Sequence, residues 1–293
     1  MHFAIKDIEK LTGINTSTLR IWEQRYSLFA PEPPHQKPRL YSKETVQKIL
    51  RIAFLYHQQM KISDIAVLAD EDIGERIREY GIELENYTSY ILLLLSATLN
   101  VDEQRFVNLF DDLCRAIGFE KCITEIAYPL LTRIYMPQVD NNAWEYFVRR
   151  IIQNKLAVKT EALRLVQNTQ PAVLIFTPDN ERHELPLLLV YYLFKKYGWN
   201  TIYLGSNITT DIMRQLQTAV PVAYIYVPIT THVDGVLIDD YMERLCRISP
   251  NRNIIASGAA TQYMQRHLVP VTILPTDDAI YRFIRHNPYL GNT

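Results

Sequence analysis

The spacing of apolar residues divides the chain into three zones. Up to residue 70 the pattern is helical, apart from the proline-rich stretch APEPPHQKPRLYS. From residue 72 to 167 apolar side chains recur at three- and four-residue steps, as in Phe106, Leu109, Phe110 and Leu113, a pattern typical of amphipathic helices. These residues form four predicted helical segments with short connections, which favours a helical bundle.

The last zone alternates short apolar runs with longer, helix-like segments. Five runs have the length and composition of buried strands: AVLIF at 172–176, TIYLG at 201–205, AYIYV at 223–227, NIIAS at 253–257 and VTIL at 271–274. Alternation of strands and helices predicts a doubly wound, parallel α/β sheet of the Rossmann-like kind. Ligands of such sheets bind beyond the carboxyl ends of the strands.

Residues 3–26, FAIKDIEKLTGINTSTLRIWEQRY, predict two short helices around a tight turn. Gly13 is free to take a positive φ at the turn, and Asn15, Thr16 or Ser17 can cap the second helix. That helix carries hydroxyls at its start and arginines further along, which suit phosphates and base edges. The pattern indicates a helix-turn-helix, although short helical pairs on a solvated surface share it.

Charge supports a nucleic-acid interface at this end of the chain. The net charge of the 293 residues is −1, but residues 1–60 hold nine Lys and Arg against five Asp and Glu. The hydrophobic content of 48% and charged content of 22% are typical of a soluble globular protein. Such an asymmetry fits a basic nucleic-acid-binding module joined to a neutral or acidic domain.

Cysteine usage and hydropathy indicate a cytoplasmic protein. Cys114, Cys122 and Cys246 have no CxxC spacing, which argues against a disulfide framework and a zinc site. The start, MHFAIKDIEK, lacks the apolar core of a signal peptide. The most apolar run, YILLLLSATL at 90–99, is too short to span a bilayer and predicts a buried helix.

Residues 11–26, LTGINTSTLRIWEQRY, together with Pro31 and the later segment Arg39-Leu40-Tyr41-Ser42, resemble the MerR family of transcriptional regulators. The resemblance implies a winged helix-turn-helix, with the second helix in the major groove and a wing on the flanking backbone. It implies the following DNA-facing residues: Thr16, Ser17, Thr18, Arg20, Trp22, Arg25, Tyr26, Arg39 and Tyr41. It also implies at least a homodimer, because two-fold operators need two-fold proteins.

Two departures from the family pattern concern the turn and the wing. Ser27 replaces the usual glycine after Arg-Tyr, and EPPHQKP replaces the usual Arg-Thr of the wing. The wing is stiffer and carries Glu32, so the family's operator preference does not transfer.

The order of the three zones resembles one subgroup, the light-responsive, cobalamin-dependent repressors of the CarH type. It gives an all-α winged helix-turn-helix at 1–70, a four-helix bundle at 71–168 and a cobalamin-binding type α/β domain at 171–293. The subgroup's bundle carries Trp-x9-Glu-His, in which the tryptophan covers cobalamin and the histidine can capture cobalt. Here Tyr135 stands at the tryptophan position and Glu145-Tyr146 at Glu-His. Trp144 lies out of register and is expected in the bundle core.

The α/β domain of the wider cobalamin-binding family carries Asp/Glu-x-His-x-x-Gly, then Ser-x-Leu, then Gly-Gly. Glu181 and His183 match the first motif, with Pro186 for its glycine, while Pro228 to Thr230 and Ser257-Gly258 fall at the other two. The resemblance implies that His183 binds cobalt from below and that Glu181 receives its other ring N–H. The alternative is a solvated loop histidine inherited from a cofactor-binding ancestor.

Three functions remain to be compared. The first is a non-enzymatic, DNA-binding regulator, most simply a repressor, with a cobalamin-type sensor domain. In the second, the C-terminal half of the regulator only oligomerises, as a dimer or tetramer, or binds a protein partner. The third is a cobalamin-carrier subunit of an enzyme, which leaves residues 1–70 without a role.

Overall fold

A computed structural model describes residues 2–32, 38–80, 86–135, 143–163, 171–177, 184–206, 208–229, 235–250, 253–264, 271–286 and 288. The chain divides into two compact units, residues 1–152 and 153–293. The first unit holds the predicted DNA-binding module and most of the predicted bundle. The second holds the α/β domain, and each unit is described by itself.

The N-terminal module is built from two short strands and four helices. Their order is β1 His2–Ala4, α1 Ile5–Thr12, α2 Thr16–Tyr26, β2 Leu40–Ser42, α3 Lys43–His57 and α4 Ile62–Ile65. Strands β1 and β2 pair antiparallel, with Phe3 opposite Tyr41. Gly13 ends α1 at a φ of 72°, the left-handed conformation that glycine adopts most easily. This confirms the predicted helix-turn-helix geometry at the turn.

The elements that the structure describes after α4 in the first unit are helices. They are α5 Asp70–Glu79, α6 Tyr87–Asn100, α7 Glu103–Ile117, α8 Phe119–Lys121, a π-helical turn at Cys122–Ala127, α9 Tyr128–Ile134 and the first part of α10 Ala143–Glu161, which continues into the second unit. The run 90–99 is the buried core of α6, as predicted. The π turn ends two residues before Pro129, which has no N–H to give to a regular helix.

The first predicted helical segment, 73–99, is two helices rather than one. Helix α5 ends at Glu79, and the backbone of Tyr80 is extended. Helix α6 begins after Asn86, whose side chain accepts a hydrogen bond from the Ser89 N–H. Ile73 is the one residue buried in α5, so that helix has little apolar surface to extend it toward α6.

The second unit is a five-stranded parallel sheet with helices between the strands. The strands are β3 Ala172–Phe176, β4 Thr201–Gly205, β5 Val222–Pro228, β6 Asn253–Ser257 and β7 Val271–Leu274. The strand order across the sheet is β4-β3-β5-β6-β7, and all neighbouring strands are parallel. From β3 the chain first forms β4 on one side and then crosses to β5 on the other side, as in a doubly wound sheet. The helices are α11 Glu184–Lys196, α12 Thr210–Ala219, α13 Gly235–Ile248 and α14 Asp277–Arg285, with a 3₁₀ turn at Ala259–Tyr263. The predicted fold class is confirmed.

Burial explains why β3 and β6 could be predicted from the sequence. Every residue of β3 is buried, and β6 is buried after its first residue. Helices on both faces of a parallel sheet demand continuous apolar strands. Within the described residues, no helix combines the length and the apolar character needed to cross a membrane.

Candidate functional site

Helix α2 is positioned by polar side chains at its first turn. The Asn15 Oδ1 atom accepts hydrogen bonds from the Thr18 N–H at 3.0 Å, from the Thr18 hydroxyl at 2.9 Å and from the Ser17 hydroxyl at 2.6 Å. Thr16 gives its N–H and its hydroxyl to the carboxylate of Glu9 on α1, at 3.1 and 2.8 Å. Asn15 is therefore the cap, and Thr16 joins the two helices of the turn.

The outer face of α2 is accessible and of mixed chemistry. Ser17 and Arg25 are exposed, and Thr18 and Arg20 are partly exposed. The Arg25 guanidinium lies 5.6 Å from the centre of the Tyr26 ring. Such a face can offer hydroxyls and cations to phosphates and base edges.

Sequence reasoning missed an apolar member of this face. The Ile21 side chain is 51% exposed, in a module whose other large apolar residues are mostly buried. It lies four residues after Ser17 and four before Arg25, on the same side of the helix. An exposed apolar side chain there suits contact with a thymine methyl group. The signal was available, because Leu19 and Trp22 already define the buried face.

Two predicted DNA-facing residues have a different role in the structure. The Trp22 side chain is 1% exposed, and its ring meets the edge of Tyr56 with centroids 5.1 Å apart. Tyr41 is fully buried, with its ring edge-on to Phe29 at 5.9 Å. Both aromatic rings pack the module, so neither belongs to the DNA-facing surface.

A buried carboxylate ties the wing strand β2 to α2. The Glu23 side chain is 8% exposed and lies 3.2 Å from the Arg39 guanidinium. It also accepts a hydrogen bond from the Tyr41 hydroxyl at 3.3 Å. Burial, with Glu23 beside it, raises the pKa of Tyr41 to about 12, so the phenol remains protonated and keeps donating. Arg39 thus stands at the surface next to α2.

The helix-turn-helix is also held from behind by the rest of the first unit. His57 of α3 lies with its Nε2 atom 3.1 Å from the Thr12 carbonyl oxygen. Arg133 of α9 donates to the Leu11 carbonyl oxygen at 3.3 Å. Burial lowers the pKa of both side chains. The end of α1 is therefore a point where α3 and α9 converge on the turn.

The three bundle positions implied by the cobalamin resemblance lie in varied surroundings. Tyr135 is 54% exposed, with the Lys10 ammonium 5.5 Å from its ring centre and hydrogen-bonded to its carbonyl oxygen. Glu145 is paired with Arg149 on α10. Tyr146 is 68% exposed. Trp144 is buried and stacks on Phe3 of β1 with centroids 5.6 Å apart.

The carboxyl edge of the sheet gathers part of the second predicted site. Ser257 ends β6 with its hydroxyl 2.5 Å from the Tyr226 hydroxyl, and both residues are buried. Burial raises the pKa of Tyr226. Gly258 follows with a φ of 100°, a conformation that favours glycine. Pro228 ends the neighbouring strand β5.

Glu181, His183 and Thr230 lie outside the described residues. Directly after His183 in the chain, Glu184 opens α11 and accepts a hydrogen bond from the Tyr203 hydroxyl of β4 at 2.5 Å, a pair that sequence reasoning did not identify. Across the described part of the chain, no group of three or more His, Cys, Asp or Glu side chains is arranged to hold a metal ion.

Comparison with known proteins defines the N-terminal module. Residues 3–72 match the family model described as MerR HTH family regulatory protein. The predicted resemblance of the N-terminus to the MerR family is confirmed.

Two curated relatives extend the similarity beyond this domain. The chain is 27% identical to the HTH-type transcriptional repressor CarA of Myxococcus xanthus over 212 residues, which cover 71% of this chain and 69% of that protein. It is 22% identical to the HTH-type transcriptional repressor CarH of the same organism over 223 residues, which cover 71% and 72%. The predicted resemblance to CarH-type repressors is confirmed.

Among solved structures, the chain is similar to a monomethylamine corrinoid protein of Methanosarcina barkeri. The identity is 12%, the TM-score is 0.48, and the match covers 66% of this chain and 95% of that one. A cobalamin-binding protein of Desulfitobacterium hafniense DCB-2 matches with 12% identity and a TM-score of 0.27, over 67% and 88% of the two chains.

Proposed function

We propose that this protein is a DNA-binding transcriptional repressor whose C-terminal α/β domain serves as a sensor or assembly domain. The observation that carries the proposal is the exposed outer face of α2, which is rigidly capped, basic and set beside Arg39 of the wing. The repressors CarA and CarH, with which it shares sequence, support the same function. A cobalamin-carrier role in an enzyme would leave the MerR-type domain without a task.

The proposed DNA-facing surface is defined by exposure. Its members have side chains that are exposed or partly exposed to solvent, and they are Ser17, Thr18, Arg20, Ile21, Arg25, Tyr26 and Arg39. Arg20, Arg25 and Arg39 supply the charge for phosphates, while the hydroxyls and Ile21 supply short-range contacts to base edges. Thr16 positions the helix through Glu9.

The test is DNA binding by the full chain at several salt concentrations. The expected result for a labelled duplex is a log affinity that falls linearly with log salt concentration, because bound cations release counterions. Arg20→Ala and Arg39→Ala are each expected to lower affinity and to reduce the salt slope by about 1. Arg247→Ala, an exposed arginine of α13 paired with Glu243, is the matched control. Unchanged affinity in both test variants would contradict the proposed surface.

We further propose a homodimer or homotetramer as the DNA-binding form. A two-fold assembly places two recognition helices on half-sites one helical turn apart. Light scattering is expected to give a mass above that of one chain at micromolar concentration, with or without DNA. A monomer under both conditions would contradict it.

The described residues do not fit the way in which the resemblance implies that cobalamin is held. In the family a serine hydroxyl of the middle motif binds the nucleotide tail, and here that position is Pro228, which has neither a hydroxyl nor an N–H. The neighbouring Ser257 hydroxyl is buried and already bonded to Tyr226. We therefore propose that the domain keeps the fold without this mode of cofactor binding. A visible absorption band retained after incubation with cobalamin in the dark and gel filtration would contradict it.

A further inference from the structure

A cavity of about 600 Å³ lies in the first unit, between the DNA-binding module and the helices that follow it. Its walls come from four helices: α3 of the module, α5, α6 and α7. The volume falls within the range of small-molecule sites in proteins. None of its lining residues belongs to the proposed DNA surface on α2.

The cavity has an apolar body. Its apolar lining is made mainly of leucine, isoleucine and tyrosine side chains: Leu50, Ile77, Tyr80, Tyr90, Leu92, Leu93, Leu109 and Leu113. Tyr80 is held in place against Phe54 of α3, with ring centroids 5.9 Å apart. A pocket of this chemistry binds a ligand through the apolar area that it removes from water.

Three arginines give the cavity an excess of positive charge. Among the described residues, Arg51, Arg78 and Arg105 line it together with one carboxylate, that of Asp112, which is already paired with Arg115. Arg78 pairs with the exposed Glu75 at 4.0 Å. Within the parts of the chain that the structure describes, Arg51 and Arg105 belong to none of the ion pairs. A planar guanidinium binds a carboxylate through two parallel hydrogen bonds.

We propose that this cavity binds a small amphipathic carboxylate, with its apolar chain among the leucines and tyrosines and its anionic head on Arg51 and Arg105. Such a ligand would join α3 of the DNA-binding module to α6 and α7. The Gln47 and Ser96 side chains already connect α3 to α6 near the same place, through a hydrogen bond of 2.6 Å. A bound ligand therefore reinforces an existing contact between the module and its support.

The test measures binding of decanoate to the full chain by calorimetry at fixed ionic strength, with decanol as the uncharged probe of equal length. We expect saturable binding of decanoate to one site per chain, and markedly weaker binding of decanol. Arg51→Gln and Arg105→Gln are each expected to weaken decanoate binding by about tenfold, the loss of one charge-assisted hydrogen-bonding partner. Arg76→Gln, on α5 but outside the lining, is the matched control and is expected to bind as the parent does.

A second variant tests the location of the site. Gly74 of α5 lines the cavity, and a Cβ atom placed on it would have no heavy atom within 4 Å. Gly74→Leu is expected to abolish decanoate binding without lowering the melting temperature, because leucine favours the helix more than glycine does. Equal binding of decanol and decanoate, undiminished binding by Gly74→Leu, or no binding at millimolar decanoate would each overturn the proposal.

Discussion

Single buried polar residues set the geometry of the DNA-binding module. Glu23 lies on α2, the helix proposed to enter the groove, yet its carboxylate turns inward to Arg39 and Tyr41. An acidic residue on such a helix would repel phosphates if it faced the DNA. Because the Glu23 carboxylate is buried, it instead binds Arg39 and Tyr41 and so positions the wing.

The stability of the DNA-binding module is expected to depend on pH through His57. Burial lowers the pKa of this imidazole below its ordinary value of 6.5, and the Arg133 guanidinium acts in the same direction against the Thr12 hydrogen bond. The folded state therefore binds fewer protons at His57 than the unfolded state does. The contribution of neutral His57 to the free energy of unfolding is therefore fully present above pH 6.5 and is lost as the pH falls through and below that value.

We expect the free energy of unfolding of the full chain to fall between pH 7.5 and pH 5.5, and to fall less in His57→Gln. Denaturant titrations at several pH values measure this difference. His2→Gln, at an exposed position of β1, is the control for the loss of a histidine side chain. Parallel curves for the parent and His57→Gln would show that protonation of His57 does not affect folding.

At the scale of elements, several hydrogen bonds converge on one side chain at the start of α2. Three groups donate to the single Oδ1 atom of Asn15. This cap satisfies an orphan N–H of the helix and also fixes the hydroxyls of Ser17 and Thr18. The orientation of the proposed DNA-facing hydroxyls is thus set before DNA arrives.

Asn15→Ala is expected to lower the free energy of unfolding by about 1 kcal/mol and to weaken DNA binding. Asn15→Ser keeps an oxygen at the cap and is expected to lose much less of either. Thermal unfolding and the duplex titration provide the two readings. If alanine and serine behave alike, the cap contributes neither to stability nor to the ordering of the helix.

The elements differ in how far the sequence predicts them. All five strands of the sheet were located to within one residue, because each is an apolar run bounded by polar turns. Only β3 is buried throughout, whereas every residue of β4 is half-buried. The division between α5 and α6 was missed, because helical periodicity on both sides of Tyr80 conceals a break that depends on the Asn86 cap.

Site residues were harder to predict than elements. Trp22 and Tyr41 belong to a motif whose known role is DNA binding, but a motif records which residues occur and not which way they face. Ile21 shows the converse, since an apolar residue on a helix is expected in the core. The arginines of the cavity are separated by up to 54 positions along the chain, between Arg51 and Arg105, so only the packing of four helices brings them together.

At the scale of the whole molecule, the excess of basic residues and the α/β sheet lie in different parts of the chain. The basic residues are in excess among the first 60, and the MerR-type domain occupies the same region. The described residues of the α/β domain form a five-stranded parallel sheet. The proposed function assigns DNA contact to the first region and leaves the sheet for ligand sensing or assembly.

The resemblance to light-responsive repressors supplies the last prediction. In that subgroup, light breaks the upper bond of adenosylcobalamin, and a bundle histidine then captures cobalt and dissociates the tetramer. The resemblance places Tyr135 and Tyr146 at the covering and capturing positions, and residues 71–170 contain no histidine. A tyrosine side chain does not offer the imidazole nitrogen by which the family's capturing histidine binds cobalt.

We therefore expect DNA affinity and oligomeric mass to be the same in dark and illuminated samples, with adenosylcobalamin present or absent. Gel shifts and light scattering on paired samples measure both quantities. Tyr146→His restores the capturing residue at a position that is 68% exposed and is expected to fold as the parent does. If this variant also ignores light, the missing histidine is not the sole cause, and the Pro228 position becomes the next one to restore. A light-driven loss of DNA binding in the parent chain would mean that another side chain captures cobalt.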